Sequence, residues 1–436
     1  MTPIPPIVAA ASATMTDAEL ALTLALLMVA PLAIAGVALI NTGLGRARSG
    51  AQTLLGNLAL AAVAMVVFVF VGASFAGTLG NSEIVLHAAG KPWGVLGLGP
   101  FLLRGISSAS PHAQLGLLFE FLAVAMVAII PWGSGADRWR LAGGSAAAVA
   151  LAGIAFPVAS HWIWNGGWLA QLGANFSLGA GFLDAGGAGV VHLLGGLSAL
   201  VVVWIAGPRR GKFPKEGLST AIPGHSAVYV LFGCTVALVG WLAWNAAGAI
   251  LWLHAPLAQL PVTAINTLLS ASGALVTTFS VTRFRFGKPD ASLCANGWLA
   301  GLVASSACAA IVSPAASLFI GGLAGVFTPL LVELLELALS IDDPSGAITV
   351  HGVAGLWGLL AAGLFSAAPG QLLAQLVGIA ALLGLMLPLI YLLFAVLNRI
   401  VPFRVDPDGE RIGMDLHELG GGAYPEFVIH RDESYR

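Results

Sequence analysis

Apolar runs of about twenty residues, the length a membrane-crossing helix needs, recur almost to the end of this chain. No other feature restricts the fold as much. The runs lie near 18–42, 52–75, 113–133, 141–164, 184–206, 224–253, 259–282, 292–313, 315–338, 346–367 and 371–398, eleven in all. Inside lipid a segment must satisfy its own backbone hydrogen bonds, so an isolated run of this length reads as a helix. Composition excludes the alternatives. The 436 residues are 58% hydrophobic and 9% charged, whereas a soluble domain is about 25% charged. So few charges cannot cover the surface of a soluble enzyme. A net charge of −2 offers nothing to a nucleic acid. The 56 glycines suit helices that pack backbone to backbone.

Lysine and arginine set the expected orientation. Basic clusters at Arg46/Arg48, Arg138/Arg140, Arg209/Arg210/Lys212/Lys215, Arg283/Arg285/Lys288 and from Arg399 onward each follow an odd-numbered run. Lys91 and Arg104 fall on the other side. The N-terminus, residues 1–17, is therefore expected outside. The transmembrane domain is expected over 18–400, in halves of about 18–206 and 224–367 plus a final helix at 371–398. The tail, 401–436, is expected in the cytoplasm. No basic stretch precedes the first run, so no cleavable signal peptide is expected. Segment 77–112, the longest break, is Gly-rich and reads as irregular.

Two thirteen-residue segments repeat each other. Asp184–Gly196 reads DAGGAGVVHLLGG and Asp343–Gly355 reads DPSGAITVHGVAG. Asp184 matches Asp343, Gly187 matches Gly346, His192 matches His351 and Gly196 matches Gly355. The first opens the fifth run and the second opens the tenth. Five is odd, so a duplicated five-helix unit must insert upside down. That is the inverted-repeat architecture of transporters, with the site between the halves.

His192 and His351 each lie within an apolar run. Each could be a satisfied polar contact between helices. In lipid, however, ionisable groups within spans tend to face a pathway. At equivalent repeat positions the two can meet on the pseudo-axis and line a pore. Imidazole donates from one nitrogen and accepts at the other, which suits a substrate carrying N–H bonds or a lone pair. Gly196 and Gly355, one turn on, would admit a close neighbour.

These and several separate motifs resemble the Amt/Rh ammonium transporter family, the Amt branch above all, over nearly the whole chain. Asp184 to His192 is similar to the family's Asp-to-His segment. Asp342-Asp343-Pro344 with Val350-His351-Gly352-Val353-Ala354-Gly355 resembles its second. Gly240 to Gly248 (GWLAWNAAG) resembles the aromatic-Asn-Ala-Gly stretch of the sixth helix. Ala136-Asp137-Arg138 stands for Ala-Glu-Arg, and Trp164-Asn165-Gly166-Gly167 for Trp-Gly-Gly with Asn165 as a departure. Phe403-Arg404-Val405, Glu410, Gly413, Asp415 and Ala423-Tyr424 resemble the cytoplasmic tail. The resemblance implies an all-α polytopic membrane protein of eleven helices, a homotrimer with one pore per subunit, and a place in a bacterial inner membrane. It implies that His192 and His351 are the twin pore histidines. It implies that Trp164 recruits the cation by cation–π attraction. In the family, ammonia and proton are thought to cross the apolar section by separate routes. A PII-type regulatory protein is the implied tail partner, although Leu419 and Gly421 replace the family's histidine and glutamate there. No enzyme activity, metal or cofactor is expected, since no phosphate loop, nucleophile elbow or metal cluster appears.

The departures gather at the implied pore mouth. Phe119 is kept, the following glutamine becomes Glu120, and a second phenylalanine becomes Ala123. The gate phenylalanine of the sixth span is Trp244, and the recruitment-site serine is Gly248. Loss of a ring and a hydroxyl is expected to enlarge the mouth, which the larger indole can partly refill. Glu120 and Trp244 are expected to attract a cation more strongly. Two substrates therefore stay open: ammonium itself, and a substituted ammonium from methylammonium to choline-like. A quaternary cation has no proton to give up and would have to pass charged. A third reading, an ammonium sensor working through a separate partner, also stays open.

Asp184 can cap the fifth helix or contact substrate. Asp342-Asp343-Pro344 reads as a helix start, with Pro in the first turn. Trp162, Trp168, Trp241 and Trp252 suit an interfacial belt, and Trp241 is also a candidate for the vestibule. Glu333 and Glu336 are expected to be solvated or paired, and His225 and His254 interfacial. His417 has no assigned role beyond the tail surface. Cys234, Cys294 and Cys308 read as small packing residues.

Overall fold

The structure is a computed structural model and describes residues 15–80, 82–88, 90–217 and 219–424. Most of the expected N-terminal segment, and the tail beyond 424, lie outside the described residues. Nine helices among them are long and apolar enough to cross a bilayer. They are α1 (Asp17–Leu44), α2 (Ala47–Ala76), α3 (Pro111–Ser134), α4 (Leu141–Ile163), α5 (Ala188–Ala206), α6 (Ala227–Leu253), α7 (Leu257–Phe286), α9 (Pro314–Leu337) and α11 (Gln371–Ile400). Two shorter apolar helices, α8 (Ala291–Ser305) and α10 (Ile348–Leu364), stand where the eighth and tenth runs lie. A short helix, α12 (Pro407–Ile412), belongs to the tail and is followed by a π-helical turn at Asp415–Leu419. Met28, Val228, Phe284 and Ile400 are among many exposed large apolar side chains. Lipid, not water, is the solvent such a surface fits.

Local chemistry sets the helix starts. Ser110 caps α3 through the Ala113 N–H with Pro111 in the first turn, and Ser313 with Pro314 does the same for α9. Thr16 and Glu19 form a capping box on α1. Packing then depends on small residues. A Cβ at Gly36 of α1 would lie 2.5 Å from Ala237 of α6, and one at Gly240 would lie 1.9 Å from the Ala33 nitrogen. The two backbones are thus in direct contact. α5 packs on α3 as α10 packs on α8.

The basic loops after the odd runs meet at one end. Arg209 donates twice to Asp342 (2.8 and 2.9 Å) and once to Asp137 (3.2 Å). Arg138 lies 3.7 Å and Arg46 3.5 Å from these same two carboxylates, in that order. Burial alone would raise the Asp342 carboxyl, but hydrogen bonds and charge from Arg209, with the charge of Arg138, hold it at about 2. The tail joins this end. Asp415 accepts from the Ala51 and Gln52 N–H groups at the start of α2, and Glu410 pairs with Arg404 (2.7 Å). Glu333 pairs with Arg285 and Glu336 with Lys212, both at 2.6 Å. His225 bonds Gly45 and Tyr424, and His417 lies 3.5 Å from Asp406. The three cysteines are free and buried.

Four expectations need correction. Segment 77–112 is not irregular throughout: β1 (Glu83–Ala88) and β2 (Lys91–Gly97) pair antiparallel, with a bulge at Ile84/Val85. Trp162 and Trp168 are not a lipid belt. The Trp162 Nε1–H donates to Val95 (2.8 Å), the Trp168 N–H donates to Gly94 (3.0 Å), and both hold this hairpin on the end of α4. The eighth helix stops at Ser305 rather than 313, because Asn266 donates to the Ala309 and Val312 carbonyls and holds 306–312 as turns. Pro344 precedes α10 instead of lying in its first turn. Asp342 there serves the arginines while Asp343 caps the helix.

Candidate functional site

Both histidines lie in π-helical turns that open their helices, Ala188–Leu193 and Ile348–Val353. Such turns are rare and often mark functional positions. Each turn is built the same way. A glycine with left-handed φ precedes it, Gly187 at +78° and Gly346 at +69°, a conformation that side chains other than glycine resist. An aspartate three residues earlier reaches past the glycine to cap the helix. Asp184 Oδ2 accepts from Gly189 and Val190 (both 2.9 Å), and Asp343 Oδ2 accepts from Ile348 (2.8 Å). Asp184 is thus a cap reached from outside the helix, with its Oδ1 lacking a side-chain or backbone partner. Gly196 and Gly355 let the helices cross: a Cβ at Gly196 would lie 2.2 Å from the Gly352 nitrogen, and one at Gly355 2.6 Å from the Ala188 oxygen.

The consequence is contact. His351 Nδ1 lies 3.2 Å from His192 Nδ1, and the rings stack with centroids 5.1 Å apart at 23°. Both are buried. One Nδ1 must carry the hydrogen and the other must accept it, so a neutral pair holds opposite tautomers. One outer Nε2 is then a donor and the other an acceptor. His192 Nε2 has no protein partner. Trp241 lies here rather than at the mouth. Its ring stacks on His192 (5.0 Å, 14°) and its Nε1–H donates to Ser306 (2.9 Å).

The residues expected at a pore mouth gather around Phe119. Its ring lies 5.3 Å from Trp164, 5.0 Å from Trp244 and 6.0 Å from Trp252. Trp164 donates to the Asp184 carbonyl (2.7 Å) and Trp244 to the Gly186 carbonyl (2.9 Å). The expected enlargement is not seen. Ala123 is fully buried. A Cβ at Gly248 would lie 2.2 Å from the Ala185 oxygen, so backbone fills the place of the serine side chain. Glu120 does not open on the mouth either. It is fully buried, and its carboxylate accepts from Thr78, Ser160 and Asn165 (2.7 Å for the last). Those donors tie the end of α2, α3 and α4 together.

Sequence reasoning missed Trp252 and the partners of Glu120. Trp252 follows Trp244 and Gly248 at four-residue spacing, a signal that it shares their face. Instead of the expected lipid belt, it is buried and stacks on Trp164.

The model of the Ammonium Transporter Family matches residues 20–424. The chain belongs to that family. Among similar proteins, ammonium transporter Amt2 of Archaeoglobus fulgidus is 33% identical over 421 residues, covering 92% of this chain and 86% of that one. Ammonium transporter Amt1 of Haloferax mediterranei is 31% identical over 410 residues, covering 90% and 76%. Of solved structures, the Sensor Amt Protein superposes with a TM-score of 0.83 at 25% identity, covering 92% of this chain and 98% of that one. Candida albicans Mep2 gives 0.77 at 23% identity, covering 95% and 92%, which speaks for the fold alone. The resemblance to the Amt/Rh family thus holds, and the chain is an α-helical polytopic membrane protein.

Proposed function

We propose that this ammonium transporter family member carries ammonium across the bilayer through a pore lined by His192 and His351. The observation that carries the reading is the 3.2 Å contact between the two Nδ1 atoms, made by helices whose turns, caps and crossing glycines repeat each other. In this reading α8 and α10 also cross, giving eleven spans in a five-plus-five inverted repeat with the N-terminus outside. The cation is recruited at Trp164 and gives up its proton. Neutral ammonia then meets an apolar passage where a bare charge would be expensive. The paired imidazoles offer it one donor and one acceptor, and they hold a single shared proton between them. The close packing of Phe119, Trp164 and Trp244 favours ammonium over a bulky choline-like cation. A homotrimer in the plasma membrane, with a PII-type partner at the tail, completes the reading.

The test is current recording on vesicles containing the purified chain, with ammonium, methylammonium and choline side by side. Wild type should respond to ammonium first. His192→Ala and His351→Ala should change the flux while the protein keeps its assembly. Unchanged flux in both variants would remove the histidines from the mechanism. The likeness to the Sensor Amt Protein favours one other reading, a sensor acting through a separate partner. Ammonium binding without current would support it.

A further inference from the structure

Trp164 is covered by a residue that neither the motifs nor the family pattern assign. The Trp252 indole lies parallel to that of Trp164, with centroids 5.1 Å apart and planes at 1°. A cation between two ring faces needs about 3.5 Å of contact on each side, so nothing fits between these rings. Phe119 meets both rings edge-on, at 5.3 and 6.0 Å. One face of Trp164 is therefore covered.

The two halves of the stack are held differently. Trp164 is tethered by its bond to Asp184, and Trp244 by its bond to Gly186. The buried Trp252 Nε1–H has no protein partner, although a buried indole N–H usually finds one. No polar bond keeps this ring in place. Behind it the contacts are with backbone and ring edges, including His112 edge-on at 6.2 Å. The edge of its six-membered ring points at Gly116 of α3, where a Cβ would sit 3.2 Å away. Two residues on, His254 ends α6 with a left-handed φ of +51°, a state uncommon for non-glycine residues.

We propose that Trp252 is the lid of the recruitment site: its indole covers Trp164 at rest and must leave that face before a cation can occupy it. The proposal rests on Trp164 being the recruiting face. It makes the lid a competitor of the substrate, so weakening the stack should tighten substrate capture. That sign separates it from a packing role, which on removal would lower yield or turnover without improving capture.

The experiment compares wild type, Trp252→Ala and Trp252→Phe in vesicles, with current recorded against ammonium and methylammonium concentration. The stacking term predicts that half-saturating ammonium falls about two- to tenfold in Trp252→Ala and less in Trp252→Phe. The methylammonium-to-ammonium ratio of kcat/KM should rise in both. Half-saturation that is unchanged or raised overturns the lid. If Trp252→Ala does not assemble, Trp252→Phe decides with the same sign. A wild type that neither conducts nor binds ammonium fails the transport reading and the lid together. A wild type that responds, with variants that match it, fails the lid alone.

Discussion

Replacing Gly196 by alanine tests the crossing on which the histidine contact depends. The new Cβ would lie 2.2 Å from the Gly352 nitrogen and 2.3 Å from its Cα, both backbone atoms that no rotamer change can move. Ordinary contact begins near 3.4 Å, so α5 and α10 must separate by roughly 1.2 Å. Gly352 follows His351 directly. The Nδ1–Nδ1 contact of 3.2 Å has only about 0.3 Å in hand before it leaves hydrogen-bonding range. Overpacking costs about 1–3 kcal/mol, and the lost bond adds about 1 kcal/mol. Misplacement on this scale lowers positional chemistry by about a hundredfold. We therefore expect Gly196→Ala to assemble with a lower Tm and to conduct ammonium at a small fraction of the wild-type rate. Gly384→Ala is the control, since nothing lies within 4 Å of a Cβ there. It should match wild type in both measurements. Wild-type current from a stable Gly196→Ala protein would refute the dependence of transport on the close crossing.

Glu120→Gln should assemble with nearly unchanged stability. Its oxygen can keep Ser160 and Asn165 while the Thr78 hydroxyl turns to accept from the new amide. Glu120→Leu leaves the Thr78 and Ser160 hydroxyls without their acceptor and Asn165 with Ser160 alone, at about 1–3 kcal/mol per unpaired donor. A Leu variant as thermostable as the Gln variant would show that the three bonds are not structural. Asp342→Asn should lose about 3–5 kcal/mol at neutral pH, since it leaves the buried Arg138 without its carboxylate and Arg209 with Asp137 alone. The Asp342 carboxyl sits at about 2 against an ordinary 3.8. Its contribution is therefore full above about pH 4 and fades as pH falls toward 2. The Tm gap between wild type and Asp342→Asn should narrow across that window. A gap constant from pH 7 to 2.5 would separate the carboxylate from stability.

The helices were legible because each is a long uniform signal, and a run such as 371–398 differs from the observed Gln371–Ile400 by two residues at its far end. The histidine pair was legible because the repeat placed two ionisable groups at one depth. The β1–β2 hairpin was not. Its strands are six and seven residues long, with proline and glycines in the second and a bulge that breaks the alternation. The tryptophans misled for a different reason. An indole near a span end can face lipid or a neighbour, and composition is the same in both cases. Tertiary partners such as Val95 for Trp162 decide it.

The cluster around Phe119 shows why single departures were misread as gains in room. Each replaced residue works with another that a linear reading treats separately. Glu120 is matched by Asn165, itself a departure, which donates to it at 2.7 Å. Gly248 is matched by the Ala185 carbonyl, which occupies the volume a serine would need. Ala185 lies between Asp184 and Gly186, whose carbonyls hold Trp164 and Trp244. A serine placed at 248 would therefore push on the segment that anchors both indoles, rather than add an acceptor for the cation. The substitutions make sense as one repacked unit, in which backbone and indole take up the space given up elsewhere. Their consequence for selectivity follows from how that unit opens, not from the sum of volumes lost and gained.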